Sequence, residues 1–146
     1  MKNEFTITVK AVIPSGGSGM EVAGKLIVSP VVGEVSEAVV PPDRTWVIKD
    51  IFVTSQSGIS VVMNLIKNGE EVVVTTAPID TLLVSNPSRP VISNVIYESG
   101  SRLTATFTTL ATVSSQTNVT VYMKVEQNLK GGKEGIMAQI SKAFGR

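Results

Sequence analysis

The chain contains no cysteine and no histidine. That excludes disulfides, thiolate nucleophiles, the usual zinc ligands and histidine-based triads. It leaves the redox compartment open, since a chain without cysteine tolerates either one. Aromatics are few, with one Trp, two Tyr and four Phe. Charged residues make up only 17% of the 146 residues, where soluble domains carry roughly 25%. The surface must therefore be covered largely by Ser, Thr, Asn and Gln. The net charge of +1 supplies no global field for nucleic acid or for an acidic partner. No apolar run approaches the ~20 residues of a membrane-spanning helix. Met1-Lys2-Asn3-Glu4-Phe5 has no apolar h-region, so no cleaved signal peptide is expected.

What is present reads as strands. Phe5 to Lys10 alternates apolar and polar with period two, the mark of a half-buried strand. Pro14-Ser15-Gly16-Gly17-Ser18-Gly19 follows as a flexible loop. Lys25 to Ser29 reads as a short strand ending at Pro30, and residues 31–40 as an extended arm or an edge strand. Trp46 to Val53 is a strong strand. Ile59 to Ile66 and Val72 to Thr76 flank Asn68-Gly69, a dipeptide suited to the positive φ values of a tight type I′ hairpin. Pro78 to Pro90 is a loop, Val91 to Tyr97 a short strand, and Glu98-Ser99-Gly100-Ser101 a turn. Leu103, Ala105 and Phe107 alternate with threonines, and Val119, Val121, Met123 and Val125 alternate with polar residues around Tyr122. Seven or eight short strands with no long amphipathic helix before residue 127 predict an all-β, antiparallel sandwich or barrel.

Gly131-Gly132 breaks this pattern. Beyond it, Ile136, Ile140 and Phe144 recur at i, i+4 and i+8 with Met137 beside the first, which is one face of a short helix. The segment 130–146 carries a net charge of +3. The expected organisation is a β-sandwich domain over 1–129, with a flexible N-terminal arm inside 1–40, and a basic amphipathic tail over 130–146. The tail has three readings: docking on its own sandwich, docking on a neighbouring subunit, or contact with a membrane or nucleic acid.

One stretch is irregular. In "PPDRTWVIKDIFVT", residues 41–54, Trp46 and Ile48 share one parity while Ile51 and Val53 share the other. A regular strand sends the two pairs to opposite faces. One extra residue at Lys49-Asp50, a β-bulge, brings all four to one face. A strand buried on both faces would instead demand buried partners for two charges. A catalytic Lys49–Asp50 pair is disfavoured, because neighbours on a strand diverge.

The ordered set of motifs carries a resemblance. It runs from Pro41-Pro42-Asp43-Arg44-Thr45-Trp46-Val47-Ile48 through the hairpin Leu65-Ile66-Lys67-Asn68-Gly69-Glu70 and the loop Asn86-Pro87-Ser88-Arg89-Pro90. It closes on Val95-Ile96-Tyr97-Glu98-Ser99-Gly100-Ser101-Arg102-Leu103. Over residues 41–126 this resembles the single jelly-roll virion proteins of tailed phages and archaeal viruses, although Ser101 stands where that pattern usually has Asp. The resemblance implies a jelly-roll-like sandwich acting as a capsid, head-decoration or spike subunit. It implies virion localisation after synthesis in the host cytoplasm, and self-association or contact with other virion proteins.

Catalytic and ligand-binding candidates are sparse. Asp43, Asp50, Asp80, Glu70, Glu71, Glu98 and Glu126 are scattered and form no Asp-x-Asp-x-Asp calcium pattern. A serine nucleophile would need a lysine base, and no Ser-x-x-Lys motif is present. Gly16-Gly17-Ser18-Gly19 lacks the Lys-Ser/Thr pair and the helix of a phosphate cradle. Neither an enzyme nor a cofactor nor a metal is expected. Trp46, Tyr97 and Tyr122 are the ring candidates for the alternative function, a carbohydrate- or receptor-binding module. Of these, Trp46 is expected in the core and Tyr122 at an exposed or subunit-contact position. Asn118-Val119-Thr120 fits the glycosylation acceptor pattern. The expected subunit contacts are Tyr122, Ile136, Met137, Ile140 and Phe144.

Overall fold

A computed structural model of the chain describes residues 2–29, 33–72, 77–87, 89 and 95–129. Among the described residues, ten strands form two antiparallel sheets. They are β1 (Lys2–Ile13), β2 (Glu21–Ala23), β3 (Lys25–Val28), β4 (Ala38–Val39), β5 (Arg44–Phe52), β6 (Val61–Lys67), β7 (Glu70–Val72), β8 (Val95–Tyr97), β9 (Arg102–Thr109) and β10 (Thr117–Leu129). Sheet I runs β3-β1-β10-β5-β8, and sheet II runs β2-β9-β6-β7 with β4 also paired to β9. The inward faces of both sheets form one apolar core, as a β-sandwich requires.

The alternation that marked the strands survives intact. Ile7, Val9, Ala11 and Ile13 of β1 are buried, as are Leu103, Ala105 and Phe107 of β9 and Val119, Val121, Met123 and Val125 of β10. β1 and β10 pair from Lys2↔Asn128 to Ile13↔Thr117 without a break. These two long strands are the spine of sheet I.

The bulge in β5 is present. Lys124 pairs with Asp50 and the next residue, Val125, with Ile48, so Lys49 is the extra residue. Trp46, Ile48, Ile51 and Val53 are consequently all buried on the core side. Lys49 is exposed, and Asp50 meets the Arg89 guanidinium at 3.3 Å. The strand begins with a turn in which Arg44 N–H donates to the Pro41 carbonyl (3.2 Å). Asp43 holds φ +62 there, with Pro42 at the position that fixes φ before it. Prolines and charge at 41–44 are thus the turn, and Trp46 is the first large side chain of the strand to reach the core.

The hairpin forms at the expected place, with Asn68 at φ +53 and Gly69 at φ +85. Two bounds differ. β6 starts at Val61, with Ile59 only packed against the core, and β7 starts at Glu70. Residues 73–76 of the expected return strand lie outside the described residues, as do 91–94 of the strand ending at Tyr97. The loop after Pro78 is more structured than its prolines suggest. Ile79–Leu82 makes a 3-10 turn whose Ile79 and Leu82 are buried.

More strands are present than the seven or eight expected, because residues 1–40 supply four of them. β3 pairs with β1 on the edge of sheet I, while β2 and β4 both pair along one edge of β9. The Gly/Ser loop is tied down by hydrogen bonds from Gly16 N–H to Val113 O (3.0 Å) and from Gly19 N–H to Thr109 O (2.7 Å). Gly24 joins β2 to β3 where a Cβ would stand 2.9 Å from Val9 Cγ1 and 3.1 Å from the Ala105 carbonyl oxygen. Only glycine lets the chain cross between the sheets this closely. The expected tail helix over 130–146 lies outside the described residues.

Candidate functional site

The sequence offered rings, acids and a contact face, and each now has a place. Trp46 is 4% exposed and Tyr97 fully buried. The Trp46 indole N–H donates to Gln127 Oε1 at 2.9 Å, and the Phe5 ring meets it edge-on at 5.2 Å between centroids. The Tyr97 hydroxyl donates to the Ile66 carbonyl at 3.1 Å, and burial pushes its pKa far above the usual tyrosine value. Both rings are bonded into the interior, and Trp46 shows only an edge to a cleft of about 360 Å³ that it lines with Phe5, Val28 and Pro41. Tyr122 is different. It projects from the outer face of sheet I, half-buried, with its ring stacked on Phe52 at 5.6 Å and 25°. The other expected contact residues, Ile136, Met137, Ile140 and Phe144, lie outside the described residues.

The acids serve the framework. Asp80 accepts hydrogen bonds from Ser57 N–H (2.9 Å), Ser57 Oγ (2.9 Å) and Gly58 N–H (3.2 Å), which fixes the loop before β6. Glu98 pairs with Lys67 at 3.1 Å. A hydrogen bond from its own backbone N–H, then the one from Lys67, holds its carboxyl below the ordinary range. The same Lys67 ammonium donates to the Ile96 carbonyl at 3.0 Å and stands 5.8 Å from the Tyr97 ring centre. Glu70 and Glu71 are exposed at the hairpin. Among the described residues, no three or more His, Cys, Asp or Glu side chains come together as a metal would require.

The outer faces of the two sheets differ in chemistry. On sheet II, Thr104, Thr106 and Thr108 of β9 stand in a row beside Asn64 of β6. Asn64 Nδ2 donates to Thr108 Oγ1 at 2.9 Å and lies 3.5 Å from Thr106 Oγ1. Val62, Ile66 and Ala23 flank the row, and among the described residues charge enters around it at Glu21, Arg102 and Glu71. On sheet I, by contrast, Lys10, Lys25, Lys124, Asp50 and Glu126 share the face with Thr8, Thr120 and Tyr122.

Two adjoining clefts open beside β1, β3 and β10 of sheet I, the larger also bordered by Val22 and Ala23 of β2 in sheet II. The larger, about 510 Å³, is lined by Lys10, Val12, Val22, Lys25, Glu34, Asn118 and Thr120 among others. The smaller, about 140 Å³, is lined by Ser55, Gln56, Ser57, Asn118, Thr120 and Tyr122 among others. Asn118, of the glycosylation triplet, is exposed where they meet. Sequence reading missed the Lys10–Lys25 juxtaposition, because only the β1–β3 register makes them opposite neighbours. No family model matches the chain, and neither does any curated protein.

Proposed function

We propose that this chain is a virion structural subunit, a jelly roll that forms or decorates a shell through contacts with copies of itself or with other shell proteins. The observation that carries the reading is the order of pairing. β1 pairs with β10, β2 with β9, β5 with β8 and β6 with β7. First meets last and each inner pair is nested within the outer one, as when a long hairpin is rolled into a sandwich. The motifs over 41–126 agree with it.

A shell subunit needs a face that loses little when water leaves it. The Thr/Asn row on sheet II suits this, since Asn64 already bonds Thr106 and Thr108 and the row itself is uncharged, with charge at its margins. The sequence of the tail, with Ile136, Met137, Ile140 and Phe144 at helical spacing after Gly131-Gly132, supports a second contact element directed at a neighbouring subunit. The proposed setting is the virion, after synthesis in the host cytoplasm.

The test is the particle mass in solution by light scattering after size exclusion. Three chains are compared: the full chain, the chain ending at Leu129, and Thr106→Glu. The full chain is expected to give a discrete oligomer or a larger particle. Thr106→Glu is expected to dissociate it while its unfolding midpoint stays close to that of the parent. Loss of assembly on truncation assigns the tail to a neighbour. A strict monomer at high protein concentration would refute the self-assembling form of the proposal.

A further inference from the structure

Lys10 of β1 and Lys25 of β3 are directly opposed across the strand pair. Like charges in that position destabilise a sheet, so a fold under no other demand avoids them. Both side chains are exposed and line the larger cleft. Among the described residues neither has a carboxylate partner, the ion pairs being Lys67–Glu98 and Arg89–Asp50. Glu34 lines the same cleft without pairing to either, so the cleft is left with net positive charge.

The row continues inward. Lys10 is opposite Thr120 on β10, and Val12 is opposite Asn118. These two polar side chains belong also to the smaller cleft, which extends the depression to Gln56, Ser57 and the Tyr122 ring. A trough results with two ammoniums at one end, hydroxyl and amide groups along its middle, and an aromatic ring braced by Phe52 at the other. Val12 and Val22 form an apolar wall at the basic end.

We infer that this trough binds a short acidic saccharide, one carrying a uronate-type carboxylate. The carboxylate sits between Lys10 and Lys25, whose mutual repulsion it relieves through charge-assisted hydrogen bonds. Asn118, Thr120 and Gln56 both donate and accept hydrogen bonds, as sugar hydroxyls do. Tyr122 covers the apolar face of the second ring. Phosphate is a poorer match, because the middle of the trough supplies acceptors as well as donors. The inference stands apart from the shell reading, since the groups that would hold the saccharide, Lys10, Lys25, Asn118, Thr120 and Tyr122, all belong to sheet I and none to the Thr/Asn row, although the trough reaches β2 at Val22 and Ala23.

Isothermal titration of the full chain with digalacturonate, its uncharged counterpart galactobiose, and inorganic phosphate tests the assignment. Digalacturonate is expected to bind saturably and to weaken as salt rises. Galactobiose and phosphate are each expected to bind at least about tenfold more weakly, as are Lys10→Gln and Lys25→Gln towards digalacturonate. Tyr122→Leu, which keeps apolar bulk and removes the ring, is expected to weaken it as well. Lys49→Gln removes the same charge from the exposed bulge and is expected to leave affinity unchanged. The assignment fails if digalacturonate does not bind at millimolar concentration, or if phosphate binds as tightly. It fails equally if Lys49→Gln matches the loss at Lys10 and Lys25, since a diffuse field would then be responsible. A failure here leaves the solution mass, and with it the shell proposal, untouched.

Discussion

β5 and β9 are strands of similar length in facing sheets, and they solve the same problem differently. β9 alternates strictly: Leu103, Ala105 and Phe107 go in, while Thr104, Thr106 and Thr108 go out. β5 cannot, because its apolar residues change parity midway, and Lys49 absorbs the change by having no partner on β10. Burial of side chains therefore dominates regularity of the ladder. One disrupted pairing costs less than turning Ile51 and Val53 to water, at about 1.5–3 kcal/mol for each fully exposed aliphatic side chain.

Deleting Lys49 attacks that solution directly and should have the largest effect. With the extra residue gone, either Trp46 and Ile48 or Ile51 and Val53 must face outward. The expected result is loss of cooperative unfolding by circular dichroism, whereas Lys49→Ala should shift stability by less than about 0.5 kcal/mol. A folded deletion variant would mean that the bulge is not what sets the register. In β9 the contrast lies between faces. Phe107→Ala should cost about 3–5 kcal/mol by denaturant titration, and the adjacent Thr106→Ala within about 1 kcal/mol. Equal costs would dissolve the distinction between inner and outer faces.

The smallest effect concerns the link between the sheets. Tyr97 pairs with Trp46 on sheet I and sends its hydroxyl to the Ile66 carbonyl on sheet II. Tyr97→Phe should cost about 0.5–1.5 kcal/mol. Because burial raises the Tyr97 pKa above its value of 10.0 in the unfolded chain, the folded state holds a proton that the unfolded state releases. Its contribution is complete below pH 10 and is lost as pH rises from there towards the folded value. Alkaline unfolding curves of parent and Tyr97→Phe should therefore converge above pH 10, and parallel curves would contradict the assignment.

Much of this architecture could be read from single residues and their neighbours. The parity break at 46–53 implied the bulge because burying Lys49 and Asp50 together has no cheap solution. Asn68-Gly69 implied the hairpin because few dipeptides hold positive φ twice. Tyr122 was readable as outward-facing from its phase against Val121 and Met123. The first forty residues were harder. β2, β3 and β4 have two to four residues each, too few for a period to show, and β9, the partner of β2 and β4, lies far along the chain. The trough on sheet I was illegible for the same reason, since Lys10, Lys25, Asn118 and Tyr122 come from three strands and meet only through register.

Local patterns along the chain already specify which side chains enter the core, where the chain reverses, and that the fold is all-β. These follow from local period, turn chemistry and the cost of burying charge. The packing of the two sheets is what places β1 beside β10, makes Gly24 the point where the chain passes between sheets, and sets two lysines opposite each other beside an amide and a hydroxyl. Those choices depend on how two twisted sheets close over one core, which no window of neighbouring residues contains.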